Sequence, residues 1–166
     1  MPLISDATED DLPGILAIFN DVIANTTAVY REHPVTLDER RTWMASRLAE
    51  GYPVLVARDA SSVVGFASFG EFRQWPCYRN TVEHTVHVRA DARGGGIGRS
   101  LVEALLPRAQ RLGKHVVVAG IDGDNAVSLR LHQRLGFEEV GRFREVGRKF
   151  DRWLDLVFLQ RLLDRP

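Results

Sequence analysis

The stretch from Thr81 to Leu101 constrains the fold of this 166-residue chain more than any other. It opens with an alternating β-patterned run, Thr81 to Val88, turns a short polar corner, and continues as Arg93-Gly94-Gly95-Gly96-Ile97-Gly98-Arg99-Ser100 into an apolar helix. A strand that feeds a glycine-rich turn at a helix start is a device for holding phosphate. The helix end supplies unpaired N–H groups and a partial positive charge, and glycine removes the Cβ atoms that would keep a ligand off the backbone.

Composition narrows what surrounds that device. The length fits one domain, residues 1–166, with a sizeable core. Lys+Arg and Asp+Glu are equal at 22 each, so no overall basic field gathers nucleic acid or anionic membrane, and neither is expected as a partner. The single cysteine, Cys77, excludes an intrachain disulfide, and the five scattered histidines show no zinc-like spacing, so no metal is expected. The start, Met1 to Asp6, lacks a signal core and no apolar run reaches membrane-spanning length, which reads as a cytoplasmic protein.

In order, residues 2 to 5 read as a short strand. Thr8 then caps a helix whose core face is Leu12, Ile15, Leu16, Phe19, Val22 and Ile23. Thr36 and Glu39 form a capping box for a second helix, to about Leu48, terminated by Gly51 and Pro53. Between these helices, residues 25 to 30 form a loop that helix packing alone does not explain. Residues 53–58 and 63–69 read as a hairpin across Asp59 to Ser62, followed by a loop, 70–80, rich in aromatics and arginine. In the strand that follows, Val82, Val86 and Val88 take one face and Thr81, Glu83, Thr85 and His87 the other. The helix after the glycines passes Pro107 with a possible kink and ends near Gly113. A buried strand, 115–120, follows, parallel to its predecessor. Asp124 or Asn125 caps a last helix to Leu135, and 138–147 with 149–160 close as a strand pair, Trp153 among its apolar positions. The order implies an α/β or α+β mixed sheet with helices on both faces.

Three phosphate devices compete for the turn. A Walker loop fails, because Arg99 stands where lysine is required. A dinucleotide fingerprint has Gly96, Gly98 and Asp122 in place, but Leu101 occupies its third glycine and too little chain follows. The third is Arg/Gln-x-x-Gly-x-Gly/Ala, met by Arg93 to Gly98. Together with Val86 to Val88, Asp124 to Leu129 and Leu135-Gly136-Phe137, it makes nearly the whole chain resemble the GNAT family of acetyl-CoA-dependent N-acetyltransferases. Three segments, Tyr78 to His84, Gly113 to Ile121 and Lys149 to Leu156, are similar to its phosphinothricin and methionine sulfoximine (methionine sulfone) acetyltransferase branch.

The resemblance implies a mostly antiparallel mixed sheet of about seven strands and assigns roles residue by residue. Val86, His87 and Val88 take the pantetheine arm and thioester carbonyl. The amides of Gly94, Gly95, Gly96, Ile97, Gly98 and Arg99 take the pyrophosphate, with Arg93 and Arg99 adding charge. Asn125 touches the cofactor or simply caps its helix. Glu83 is either the general base for the acceptor amine or a carboxylate meeting solvent. His132, where many GNATs carry tyrosine, is either the acid for the departing thiolate or a polar-face residue. Arg73, Gln74 and Trp75 read as the recognition segment, the guanidinium suited to a carboxylate; a solvated arginine and a packing tryptophan are the alternative. His84, Thr85 and Tyr30 complete the acceptor site, with Lys149 and Trp153 as further pocket candidates.

The resulting expectation is direct acetyl transfer from acetyl-CoA to the α-amine of a small amino-acid analogue of the methionine sulfoximine, methionine sulfone or phosphinothricin type, by a homodimer. A non-catalytic acyl-CoA-binding module and a GNAT acting on a peptide N-terminus or polyamine are the competing readings.

Overall fold

The computed structural model describes residues 2–60 and 62–163. Ser61, in the expected hairpin connection, and Met1 lie outside the described residues. The strands are β1 (Leu3–Asp6), β2 (Val54–Arg58), β3 (Val63–Glu71), β4 (Thr81–Val88), β5 (Val116–Asp122), β6 (Glu138–Lys149) and β7 (Arg152–Leu162). The helices are α1 (Leu12–Asn25), α2 (Leu37–Ala49), α3 (Ile97–Arg111) and α4 (Ala126–Arg134), supplemented by single 3-10 turns. They build one seven-stranded sheet in the order β1-β2-β3-β4-β5-β7-β6. Every pairing is antiparallel except β4 with β5. The mixed, mostly antiparallel sheet expected from the sequence is the one found.

The helices divide between the two faces. On one, α3 and Leu131 of α4 pack with Leu55, Ala67, Phe69, Val82, Val117, Ala119 and Val157; on the other, α1 and α2 enclose Val54, Val56 and Phe66. Strand alternation therefore sorts β4 cleanly. Even-numbered residues face α3 and α4, and odd-numbered ones face α1 and α2. Phe66 is essentially inaccessible on the α1/α2 side, and burying a side chain of that size contributes about 1.5–3 kcal/mol.

Local signals hold where side chain and backbone compete for the same groups. Thr36 Oγ1 accepts from Glu39 N at 3.2 Å while Glu39 Oε2 accepts from Thr36 N at 2.6 Å, the capping box expected for α2. Gly51 and Gly136 adopt left-handed φ of 76° and 80° just beyond α2 and α4. Other expectations shift. A 3-10 turn at Glu9–Asp11 separates Thr8 from α1. The core face of α1 runs through Ile18, whereas Leu16 and Phe19 are only partly buried. β3 extends through Gly70 and Glu71 into the expected loop. Trp153 is 62 % exposed near the tip of the β6–β7 hairpin, beyond the reach of either helix layer.

The feature that positions a site is the divergence of β4 from β5. Register runs only from Thr81↔Val116 to Glu83↔Val118, although β4 continues to Val88 and β5 to Asp122. Beyond Glu83 each strand presents an unpaired backbone edge to a cleft between them, and unpaired N–H and C=O groups invite a peptide-like partner.

Candidate active site

At the far end of that cleft lies the glycine turn. Gly94 and Gly96 have φ of 85° and 83°, a left-handed conformation that L side chains adopt only with strain, and Gly96 is the N-cap of α3. No side chain among the described residues caps this helix, which leaves its first amides open. A Cβ at Gly94 or Gly96 would meet nothing within 4 Å, so glycine there clears backbone for something outside the chain. Gly98 instead packs, 3.6 Å from Leu131 and Val88 at its Cβ position, and closes α3 onto α4 and β4. Of the flanking arginines, Arg93 donates to Val88 O at 3.1 Å and Arg99 pairs with Glu103 at 2.8 Å. An unpaired strand edge leading into an uncapped helix start fits an elongated ligand with amide groups at one end and phosphate at the other. Acetyl-CoA has that form, and here it would lie along Val86 to Val88 and over Gly94 to Arg99. Asn125 caps α4, its Oδ1 accepting from Ser128 N at 3.1 Å.

The residues read as catalytic occupy opposite faces of β4. Glu83 lies on the α1/α2 side, half-buried, and a Cβ at Gly120 would come within 2.9 Å of its Oε1. Burial raises its carboxyl above the ordinary range, with Arg73 pulling the other way. His132 lies on the α3/α4 side and is buried rather than on a polar face. Its Nδ1 stands 2.7 Å from Ser128 O, and a carbonyl only accepts, so Nδ1 carries the proton. His132 Nε2 must then accept from His84 Nε2, 3.0 Å away, which leaves His84 Nδ1 as a buried acceptor without a partner. Burial and the neighbouring His132 lower His84 to about 3, and burial lowers His132 as well, so the pair is neutral. In this arrangement it has no free N–H to give, and His132 Nε2, an acceptor here, would first have to take up a proton to act as a donor. His84 thus sits on the cofactor side of β4, opposite Glu83 and Thr85.

The acceptor-side residues converge only in part. Arg73, Gln74 and Trp75 line a cavity of about 470 Å³ with Arg47, Glu50, Glu71 and Phe72. Arg73 lies 4.1 Å over the Phe72 ring and donates to Phe72 O at 2.7 Å. Tyr30 is committed to structure: its hydroxyl donates to Asp155 O at 2.6 Å, and its ring fills the space left by Gly147. Burial and nearby Asp122, Asp155 and Asp124 push its phenol up to about 12. Lys149 Nζ donates to the carbonyls of Ile23, Thr26 and Val29 at 2.6, 2.8 and 2.9 Å, so it holds the loop after α1 and does not project into a pocket. Thr27 donates to the buried Asp122 from the same loop. These bonds explain residues 25–30. The Lys149 anchor was not foreseen, because it depends on the loop after α1 meeting the end of β6.

Comparisons place this geometry. An L-methionine sulfoximine/L-methionine sulfone acetyltransferase of Pseudomonas aeruginosa is 53% identical over 97% of this chain and 94% of its own length. The phosphinothricin N-acetyltransferase of Streptomyces coelicolor is 37% identical over 96% and 95%. The structure of yncA, a putative acetyltransferase from Salmonella typhimurium with its cofactor acetyl-CoA, superposes with a TM-score of 0.97 at 43% identity, covering 100% of this chain and 96% of that one. Residues 15–137 match the acetyltransferase (GNAT) family, and with full-length relatives at this identity the chain belongs to that family.

Proposed function

We propose that this acetyl-CoA-dependent N-acetyltransferase acetylates the α-amine of a small amino-acid analogue of the methionine sulfoximine, methionine sulfone or phosphinothricin type, by direct transfer. The observation that carries the reading is the layout of β4: Glu83 and an unpaired backbone edge lie a few residues apart, and Glu83 shares its face with an arginine-bearing cavity. The acceptors that the related enzymes are named for fit such a cavity.

The bound thioester supplies an activated acetyl group. Val86 to Val88, beside the β4–β5 divergence, would hold the arm through their backbone groups. Glu83, its basicity increased by burial, takes the proton from the α-ammonium, whose pKa near ~8 makes a modest base sufficient near neutrality. His132 is the candidate donor to the leaving sulfur on the opposite face of the strand once its Nε2, the acceptor in the pair with His84, has taken a proton from solvent.

A homodimer in the cytoplasm completes the reading. Its support is the edge hairpin β6–β7, which exposes Val140, Phe143, Val146, Phe150 and Trp153, an apolar row that water disfavours. The equal counts of acids and bases favour a small-molecule partner over nucleic acid.

Thiol release from acetyl-CoA against a panel of amino acids, peptides and polyamines tests the function. Release with methionine sulfone or phosphinothricin is the expected result; release only with peptides or polyamines would sink the acceptor assignment. The Glu83→Gln variant should lose at least about 100-fold in kcat near neutral pH, the usual weight of a positioned base. Unchanged activity removes Glu83 from that role.

A further inference from the structure

Glu83 stands between two glycines of neighbouring strands. Gly70 of β3 is its direct antiparallel partner, and Gly120 of β5 flanks it on the other side. The space beside Gly120 is taken by the Glu83 carboxylate itself. The space over Gly70 is taken by the guanidinium of Arg47, reaching in from α2, which a Cβ at Gly70 would overlap. Side-chain origins directly opposite one another in an antiparallel pair stand about 5 Å apart. A guanidinium over Gly70 therefore stands across the strand pair from Glu83, whose carboxylate leans the other way, over Gly120.

Among the described residues no hydrogen bond or ion pair accounts for that guanidinium. Arg47 Nε is buried without a hydrogen-bond partner, and Arg47 makes no ion pair among the described residues. Glu50 and Glu71 line the same cavity, yet neither reaches it as an ion pair. Arg73, Gln74 and Trp75 share the cavity, and the field of Arg73 already extends to Glu83.

We propose that Arg47, together with Arg73, binds the α-carboxylate of the acceptor and so makes the enzyme select amino acids over simple amines. The proposal rests on the acceptor reading given above. In an α-amino acid the nitrogen and the carboxyl carbon hang on one Cα and lie about 2.5 Å apart. The group that receives the carboxylate must therefore stand close to the group that receives the amine, and Arg47 over Gly70 shares a sheet face with Glu83 on the paired strand. A planar guanidinium matches a carboxylate with two parallel hydrogen bonds, and its charge explains why an arginine is held at this position with its donors unspent.

The test compares L-methionine sulfone with its carboxamide in the wild-type enzyme and in Arg47→Met and Arg47→Lys. For Arg47→Met the KM for methionine sulfone should rise about 10- to 100-fold, the usual effect of losing a charged hydrogen bond. Its kcat should change little and its KM for acetyl-CoA should hold, which also reports an intact fold. With the carboxamide, wild type and Arg47→Met should have the same KM, and Arg47→Lys should recover part of the loss on the acid. An equal rise for both acceptors, or no rise for the acid, overturns the proposal. A wild-type enzyme that acetylates other amines but ignores methionine sulfone overturns the acceptor reading, and the role of Arg47 falls with it; normal turnover with an indifferent Arg47→Met removes Arg47 alone.

Discussion

Lowering the pH from 7.5 to 5.5 should destabilise this protein through histidines it keeps neutral. His84 is 6 % exposed, and its pKa falls from 6.5 to about 3 through burial and the neighbouring His132. His87, between Phe19 and Phe66 on the other face of β4, falls to about 4 through burial and the charges of Arg40 and Arg93. A folded-state pKa depressed for a base means that the unfolded chain binds the proton more readily. Stability is then complete above pH 6.5 and drains away as pH falls from 6.5 toward the folded value. One pH unit below 6.5, the unfolded state has gained about 1.4 kcal/mol for each such histidine, so His84 and His87 together remove roughly 3 kcal/mol by pH 5.5. His132 acts in the same direction. Glu83 opposes them, because its raised carboxyl binds a proton more readily when folded, so the comparison is made in a Glu83→Gln background. Urea unfolding followed by tryptophan fluorescence at the two pH values measures the difference. His84→Phe should flatten about half of the slope. A free energy of unfolding that is flat between pH 7.5 and 5.5, or a His84→Phe slope equal to that of the parent, refutes the neutral-pair argument.

Two further substitutions separate backbone from side-chain effects. Gly96→Ala should cost about 1–2 kcal/mol from the left-handed φ alone, since its Cβ meets no atom of the chain, and should raise the KM for acetyl-CoA while leaving that for the acceptor unchanged; differential scanning calorimetry and steady-state kinetics read the two effects. Lys149→Met leaves three carbonyls at the end of α1 without their donor and should destabilise by roughly 2–4 kcal/mol in urea unfolding, with faster amide exchange confined to residues 25–30.

What the chain announces in its sequence and what it withholds follow from the range of the forces involved. Capping at Thr36, the helix stop at Gly136 and the alternation of β4 are settled within a few residues, and these features were legible. Alternation alone also puts His84 on the valine face of β4, away from Glu83; grouping it with the acceptor residues set resemblance above parity, and the contact with His132 follows the parity. The Arg47 contact was beyond reach, because it depends on α2 crossing β3 where a strand carries glycine, and no local rule brings residue 47 to residue 70. The Gly70–Glu83–Gly120 row has the same origin: two glycines some fifty residues apart flank one carboxylate only after the sheet has formed. A glycine inside a strand weakens it, so a pair of them around a half-buried acid marks a place where the fold gives up strand stability for space. Part of that space holds an arginine with no ion pair among the described residues, and the chemistry of an α-amino acid, one cation and one anion on a single carbon, is complementary to Glu83 and Arg47, which the sheet sets on one face of paired strands.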